Sequence, residues 1–199
     1  MRPSDYLIDL ILSVIMIVGA YQFYFWCQRQ AFRPSRRLGL TIDERFPYWP
    51  SWVWVYSFLY YPMILVLNFV VDSPRQFTHM AAGFILLLVV QMACFLLFPV
   101  TTPEKWRHLN QRRDTSERFL ALVHRFDATS NCFPSMHVSV AMLTAMYLAP
   151  HLGHAAFAFP LLIAVSCIFT KQHYLVDLPV GAVLGWGIFQ FTSLLEVGV

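Results

Sequence analysis

Six stretches of this 199-residue chain are almost free of charge: residues 6–26, 52–71, 80–98, 138–148, 155–169 and 175–195. Crossing the hydrocarbon core of a bilayer takes about 20 mainly apolar residues in a helix. Inside the bilayer each backbone N–H and C=O must be paired within the protein, which leaves the α-helix as the spanning element for runs of this kind. Composition agrees, since 58% of the residues are hydrophobic and only 13% are charged, where a soluble domain carries roughly 25% charge. The expected fold class is all-α: one integral-membrane domain over residues 1–199, a polytopic helix bundle with about six transmembrane helices. The fourth and fifth stretches are short unless they absorb flanking residues such as Ser135 and Met136 or run into the turn at 150–153, so five spans is the alternative. No Ala-x-Ala-like cleavage site follows the first stretch, which reads as a retained span rather than a removed signal. Tyr48, Trp49, Trp52 and Trp54 crowd the start of the second stretch, as an aromatic belt at the headgroup level would.

The polar connections at 28–50 and 101–131 hold eleven of the fourteen basic residues. With six spans, both lie on the same face as the connection that carries Lys171, Gln172 and His173. Only Arg2 and Arg75 are left for the opposite face, so the positive-inside rule points the crowded face toward the cytoplasm. Residues 107–125 mix apolar side chains with many charges, a pattern that suits either a helix in the interface plane or a solvated loop helix. Cys27, Cys94, Cys132 and Cys167 are scattered, with neither a C-x-x-C pair nor a zinc spacing, so they read as small buried hydrophobes and imply no metal site.

Two short segments on the crowded face carry chemistry. In Phe133-Pro134-Ser135-Met136-His137, the proline is suited to the first position of a helix, and the residues after it have unpaired N–H groups. Such a helix start attracts an anion, the Ser135 hydroxyl adds a donor, and His137 follows within about a turn. In His173-Tyr174-Leu175-Val176-Asp177, histidine and carboxylate are four apart, so on a helix they share a face. A carboxylate there fixes the imidazole tautomer and leaves the far nitrogen free to attack. Pro179 implies a kink, or a helix that starts just after an Asp177 cap. The remaining histidines, at 79, 108, 124, 151 and 154, have no partner at a meaningful spacing, and Gly181 with Gly185 reads as a close-packing pair.

At these residues the chain resembles the type 2 phosphatidic acid phosphatase superfamily, which also contains vanadium haloperoxidases and the sphingolipid headgroup synthases. The likeness covers residues 99–185. The second family motif, Pro-Ser-Gly-His, corresponds to Pro134-Ser135-Met136-His137. The third, Ser-Arg followed by five residues and His-x-x-x-Asp, aligns with Ser166-Cys167 and with His173 and Asp177, so Cys167 stands where a phosphate-binding arginine is expected. Of the first motif, Lys105 and Arg112 keep the spacing, while Arg113 replaces the proline. Without Ser-Arg, the pattern looks closer to the inositol phosphorylceramide and sphingomyelin synthase branch than to the phosphatases proper.

The resemblance implies His173 as a nucleophile that becomes a phosphohistidine, Asp177 as its orienting acid and His137 as the proton donor to the leaving oxygen. Ser135, Lys171, Lys105 and Arg112 are the expected phosphate ligands, with no metal and no cofactor. Its first expectation is a phosphatase acting on a lipid phosphomonoester or diphosphate: phosphatidate, phosphatidylglycerophosphate or an isoprenyl diphosphate. Its alternative is a lipid headgroup phosphotransferase, and a third reading is a non-catalytic membrane scaffold. The partners expected are the bilayer and a phospholipid, isoprenoid or sphingolipid phosphate, with no nucleic acid. Family analogy implies a bacterial plasma-membrane protein with its active face outside the cytoplasm, against the charge count.

Overall fold

Helices make up nearly all regular structure in the computed structural model, which describes residues 2–30, 34–111, 113–127 and 130–197. In chain order they are α1 (Pro3–Arg29), α2 (Tyr60–Val70), α3 (Pro74–Leu97), α4 (Thr115–Phe126), α5 (Met136–Leu152), α6 (Ala158–Phe169) and α7 (Asp177–Val197). Among the described residues there is no strand, only an isolated bridge between Arg36 and Val100. Local chemistry sets several starts. Pro3 and Pro74 occupy first-turn positions that need no N–H. Ser73 accepts from the Gln76 N–H at 3.2 Å, and Asp114 accepts from the Glu117 N–H at 2.8 Å.

Five helical runs are long and apolar enough to cross a membrane: Pro3–Arg29, Pro50–Val70, Pro74–Leu97, Met136–Phe169 and Asp177–Leu195. The fourth, 34 residues long, doubles back. Its α5 half ends at Gly153, which has φ +58°, a left-handed backbone that glycine adopts without strain. α6 then returns, so that Cys167 near its end lies against Ser135 at the head of α5. The polytopic all-α bundle expected from the sequence is the fold, and the five-run count and the six-stretch count differ only in how this hairpin is divided.

α5 is the central rod, with Ala141, Leu143, Ala145 and Leu148 fully buried among α2, α3, α6 and α7. α7 lies closest to it. A Cβ added to Gly181 would come within 2.5 Å of the Ser135 carbonyl oxygen, and one added to Gly185 would collide with the Ser139 carbonyl. The Gly-x-x-x-Gly pair therefore permits the close approach of two backbones. α1 is the outermost rod. It leans on α2 and α3 and presents Leu7, Ile11, Ile15, Val18 and Phe23 outward. Between α1 and the rest of the bundle is a cavity of about 580 Å³, lined mostly by apolar side chains.

The expected single segment at 107–125 is divided. A 3-10 turn covers Glu104–Leu109, α4 begins only at Thr115, and the Asn110 side chain donates to the Glu117 carbonyl at 2.8 Å, folding the connection between them. α4 then packs over the 50–52 turn, where Trp54 stacks on Phe119 with centroids 5.0 Å apart.

Candidate active site

His137 is the second residue of α5, and the chain just before it differs from the expectation. The helix starts at Met136, so Pro134 lies outside it and Ser135 is the N-cap, its hydroxyl accepting from the Val138 N–H at 3.4 Å. The Ser135 N–H donates to the Asp177 carbonyl at 3.1 Å, and the Pro134 carbonyl accepts from Gln91 Nε2 at 2.6 Å. Ser135 is fully buried, so this helix start is tied into α3 and α7 rather than held open for an anion. The His137 ring is clamped by aromatic faces, with Tyr56 at 4.2 Å and Tyr60 at 4.8 Å between centroids. Tyr56 sits in a π-helical turn, Val55–Leu59, and its hydroxyl is 3.2 Å from His137 Nδ1, which leaves Nε2 as the free ring nitrogen. Such turns often mark functional sites.

His173 and Asp177 do not share a helix. His173 lies in the loop after α6, and Asp177 is the first residue of α7, so a turn brings the pair together where the sequence expectation had a helix face. Asp177 Oδ2 accepts from the Tyr174 N–H at 2.9 Å and lies 3.4 Å from His173 Nδ1. Nearer still is the Cys132 carbonyl, 2.9 Å from the same nitrogen. A carbonyl can only accept, so Nδ1 carries the proton and Nε2 is bare. Two acceptors thus orient the ring. Pro179 sits in the first turn of α7, where no N–H is missed.

The two imidazoles converge, with ring centroids 6.3 Å apart and planes inclined at 63°. They line a small polar pocket of about 10 Å³ together with Tyr24, Tyr56, Asp127, Cys132 and Gln172. That pocket and the 580 Å³ cavity share Tyr24, Tyr56, Asp127, Met136 and His137, so the apolar space reaches His137 and borders the pocket that holds His173.

The expected cations are placed elsewhere. Lys171 Nζ donates to the Asp43 carbonyl at 2.7 Å and lies 5.0 Å over the Trp106 ring. Burial pulls its pKa down, against the opposing charges of Glu44 and Asp43. Its own backbone is left-handed, φ +57°, a conformation costing about 1 kcal/mol that this anchor helps to hold. Lys105 pairs with Glu44 at 2.9 Å on the surface. Neither ammonium lines the pocket between the histidines. Arg112 falls outside the described residues.

Several residues that the sequence did not single out line the site or brace it. Asp43 holds the loop that carries His173: Oδ1 accepts from the Leu175 N–H at 2.8 Å, while its carbonyl takes Lys171. Asp127 Oδ1 accepts from Tyr24 Oη at 2.6 Å and from Gln28 Nε2 at 3.2 Å, which ties α1 to the pocket. Burial raises the Asp127 carboxyl above the ordinary carboxylate range, opposed by the Tyr24 bond and by the Arg107 charge. Arg107 Nη1 donates to Gln172 Oε1 at 3.2 Å. No spacing rule could have found these, because each contact joins connections far apart in the chain.

A family model described as the PAP2 superfamily matches residues 41–191, three quarters of the chain and both histidines with Asp177. The chain belongs to the PAP2 superfamily. This is the type 2 phosphatidic acid phosphatase superfamily that the Pro-Ser-x-His and His-x-x-x-Asp segments resemble. Comparison with curated proteins and with solved structures found no match. PAP2 membership makes the chain an enzyme of the phosphatase type, and its apolar helices make it an integral membrane protein.

Proposed function

We propose that this PAP2 protein is a membrane-embedded lipid phosphate phosphatase working through a phosphohistidine on His173. The observation that carries the reading is the approach of the His173 ring, its Nε2 bare, to the His137 ring, 6.3 Å apart between centroids, beside an apolar cavity that His137 also lines. The Nε2 lone pair forms the P–N bond as the P–O bond to the lipid alcohol breaks, and protonated His137 gives its proton to the departing oxygen. Neutral His137 then takes a proton from water as that oxygen attacks phosphorus and the P–N bond breaks. Asp177 and the Cys132 carbonyl hold the Nδ1 proton throughout and favour the positive charge that phosphorylation places on the ring. The alcohol's chain occupies the 580 Å³ cavity. Ser135 supports this centre as the cap of α5, and Lys171 and Lys105 act as anchors of its rim.

A second reading has its own support. Cys167, not arginine, lies against Ser135, and the apolar cavity reaches the pocket beside Asp127, so a lipid hydroxyl can stand where water attacks. The enzyme is then a headgroup phosphotransferase of the inositol phosphorylceramide or sphingomyelin synthase kind. Both readings place the site at a plasma membrane with the active rim outside the cytoplasm. The test is purified protein in detergent with a radiolabelled lipid phosphate, scored for inorganic phosphate and for labelled product on an added ceramide or diacylglycerol. An alkaline detergent quench should trap base-stable, acid-labile label on the wild type, and His173→Ala should lower turnover by about 10³-fold or more. A His173→Ala protein that still turned over, or label on another residue, would remove the nucleophile assignment.

A further inference from the structure

The PAP2 pattern places an arginine six residues before the histidine of its third motif, and here that position is Cys167, buried against Ser135. Charge building on three phosphoryl oxygens still needs donors, because phosphoryl transfer is catalysed mainly by positioning and electrostatic stabilisation. Gln172, directly before the nucleophile, is only 2% exposed and lines the pocket with His137 and His173. Its Oε1 accepts from Arg107 Nη1 at 3.2 Å, which fixes the amide and leaves Nε2 as its remaining donor. That Nε2 is shielded from water and has no hydrogen-bond partner among the described residues. A buried donor left unmade costs about 1–3 kcal/mol, so a side chain held in this state needs an acceptor that arrives from outside. Arg107 is itself braced, its Nη2 reaching the Asp127 carbonyl at 3.5 Å, and its Nε is likewise buried and unpaired.

We propose that Gln172 is the oxyanion donor of this site, its N–H aimed at a phosphoryl oxygen of the group on His173, with Arg107 as the positioning residue that holds the amide and adds positive charge behind it. The inference rests on the phosphoryl-transfer reading above and gives it the stabilising group that Lys171 and Lys105, committed to Asp43 and Glu44, do not provide. The pocket of about 10 Å³ has room for a water only, so it must widen along its border with the apolar cavity, at Asp127 and Met136, to admit phosphorus and its oxygens. Asp127 is the carboxylate on that border. With its pKa raised by burial, an anion arriving beside it favours its protonated form.

The discriminating variant is Gln172→Glu, which keeps the shape and the acceptor for Arg107 but replaces the donor with an anionic oxygen. Gln172→Met removes the donor without adding charge. Each should fold, as judged by thermal unfolding in detergent. Each should also lose about 10²–10³ in kcat with KM for the lipid phosphate little changed, the pattern of a contact made in the transition state. Orthovanadate, whose five-coordinate form imitates the transferring phosphoryl group, should need at least about tenfold more to inhibit either variant to half. Arg107→Lys should retain more activity than Arg107→Ala. Wild-type turnover combined with undiminished kcat and vanadate sensitivity in Gln172→Glu would overturn the Gln172 assignment alone. A wild type that neither turns over lipid phosphates nor binds vanadate would remove the phosphoryl-transfer reading and this assignment with it. Should Gln172→Met fail to fold, Gln172→Glu decides.

Discussion

His124 illustrates what a single side chain contributes at the rim. It lies on α4, with Nε2 shielded from water and unpartnered among the described residues. Burial, and then the nearby Arg107 charge, pull its pKa down to about 3, against a hydrogen bond with the Thr170 backbone. The folded protein therefore keeps this ring neutral while the unfolded chain protonates it near the ordinary value of 6.5. Between those two values the unfolded state binds the extra proton, so stability is fully present above about pH 6.5 and falls with acid by up to about 1.4 kcal/mol per pH unit. Thermal unfolding in detergent from pH 7 to pH 5 should show Tm dropping in the wild type and dropping less in His124→Gln. An identical pH slope in the two proteins would mean that the ring is charged in the fold. The same scale shows what a sequence can reveal. His137, His173 and Asp177 were legible because their spacing is local, and local spacing survives whether the segment is a helix or a turn. Gln172, Arg107, Asp127 and Asp43 were not, since their meaning comes from contacts such as Arg107 with Gln172, 65 positions apart.

Among the elements, the contact of α5 with α7 does most to set the site, because His137 opens one and Asp177 opens the other. Its closeness depends on glycine. Gly185→Val should push the Ser139 carbonyl away, cost about 1–3 kcal/mol and reduce turnover more than stability alone explains. Gly187→Ala, with nothing within 4 Å of the added carbon, should change stability by less than about 0.5 kcal/mol. Equal losses in the two variants, measured by Tm and by phosphate release, would show that the closeness of the two backbones is not what matters. The apolar stretches announced these helices because hydrocarbon leaves few other options. The reversal between α5 and α6 was softer, as Pro150 falls within the last turn of α5 and only the backbone of Gly153 marks the corner. The division of 107–125 was hidden for a different reason: Asp114 reads as one more charge until it is seen capping α4.

For the whole molecule, orientation is open to direct measurement. The order of spans read from the sequence assigns twelve of fourteen basic residues to the face of the two histidines, yet several of the described ones are bound there: Lys171 by Asp43, Lys105 by Glu44 and Arg107 by Gln172. Cations that serve the rim inflate the count that the positive-inside rule uses. Glu104→Cys, on the exposed 3-10 turn, should react with a membrane-impermeant maleimide in intact cells, against a low background from the buried Cys27, Cys132 and Cys167. Labelling only after permeabilisation would put the rim in the cytoplasm.

Asp43 reaches across about 130 positions to grip both Lys171 and Leu175. A protein started beyond Arg45 would retain each rod from α2 onward and the glycine seam between α5 and α7, yet carry the His173 ring on a slack turn. Circular dichroism of such a truncation would look nearly intact, while its chemistry would have lost the far end of the clamp.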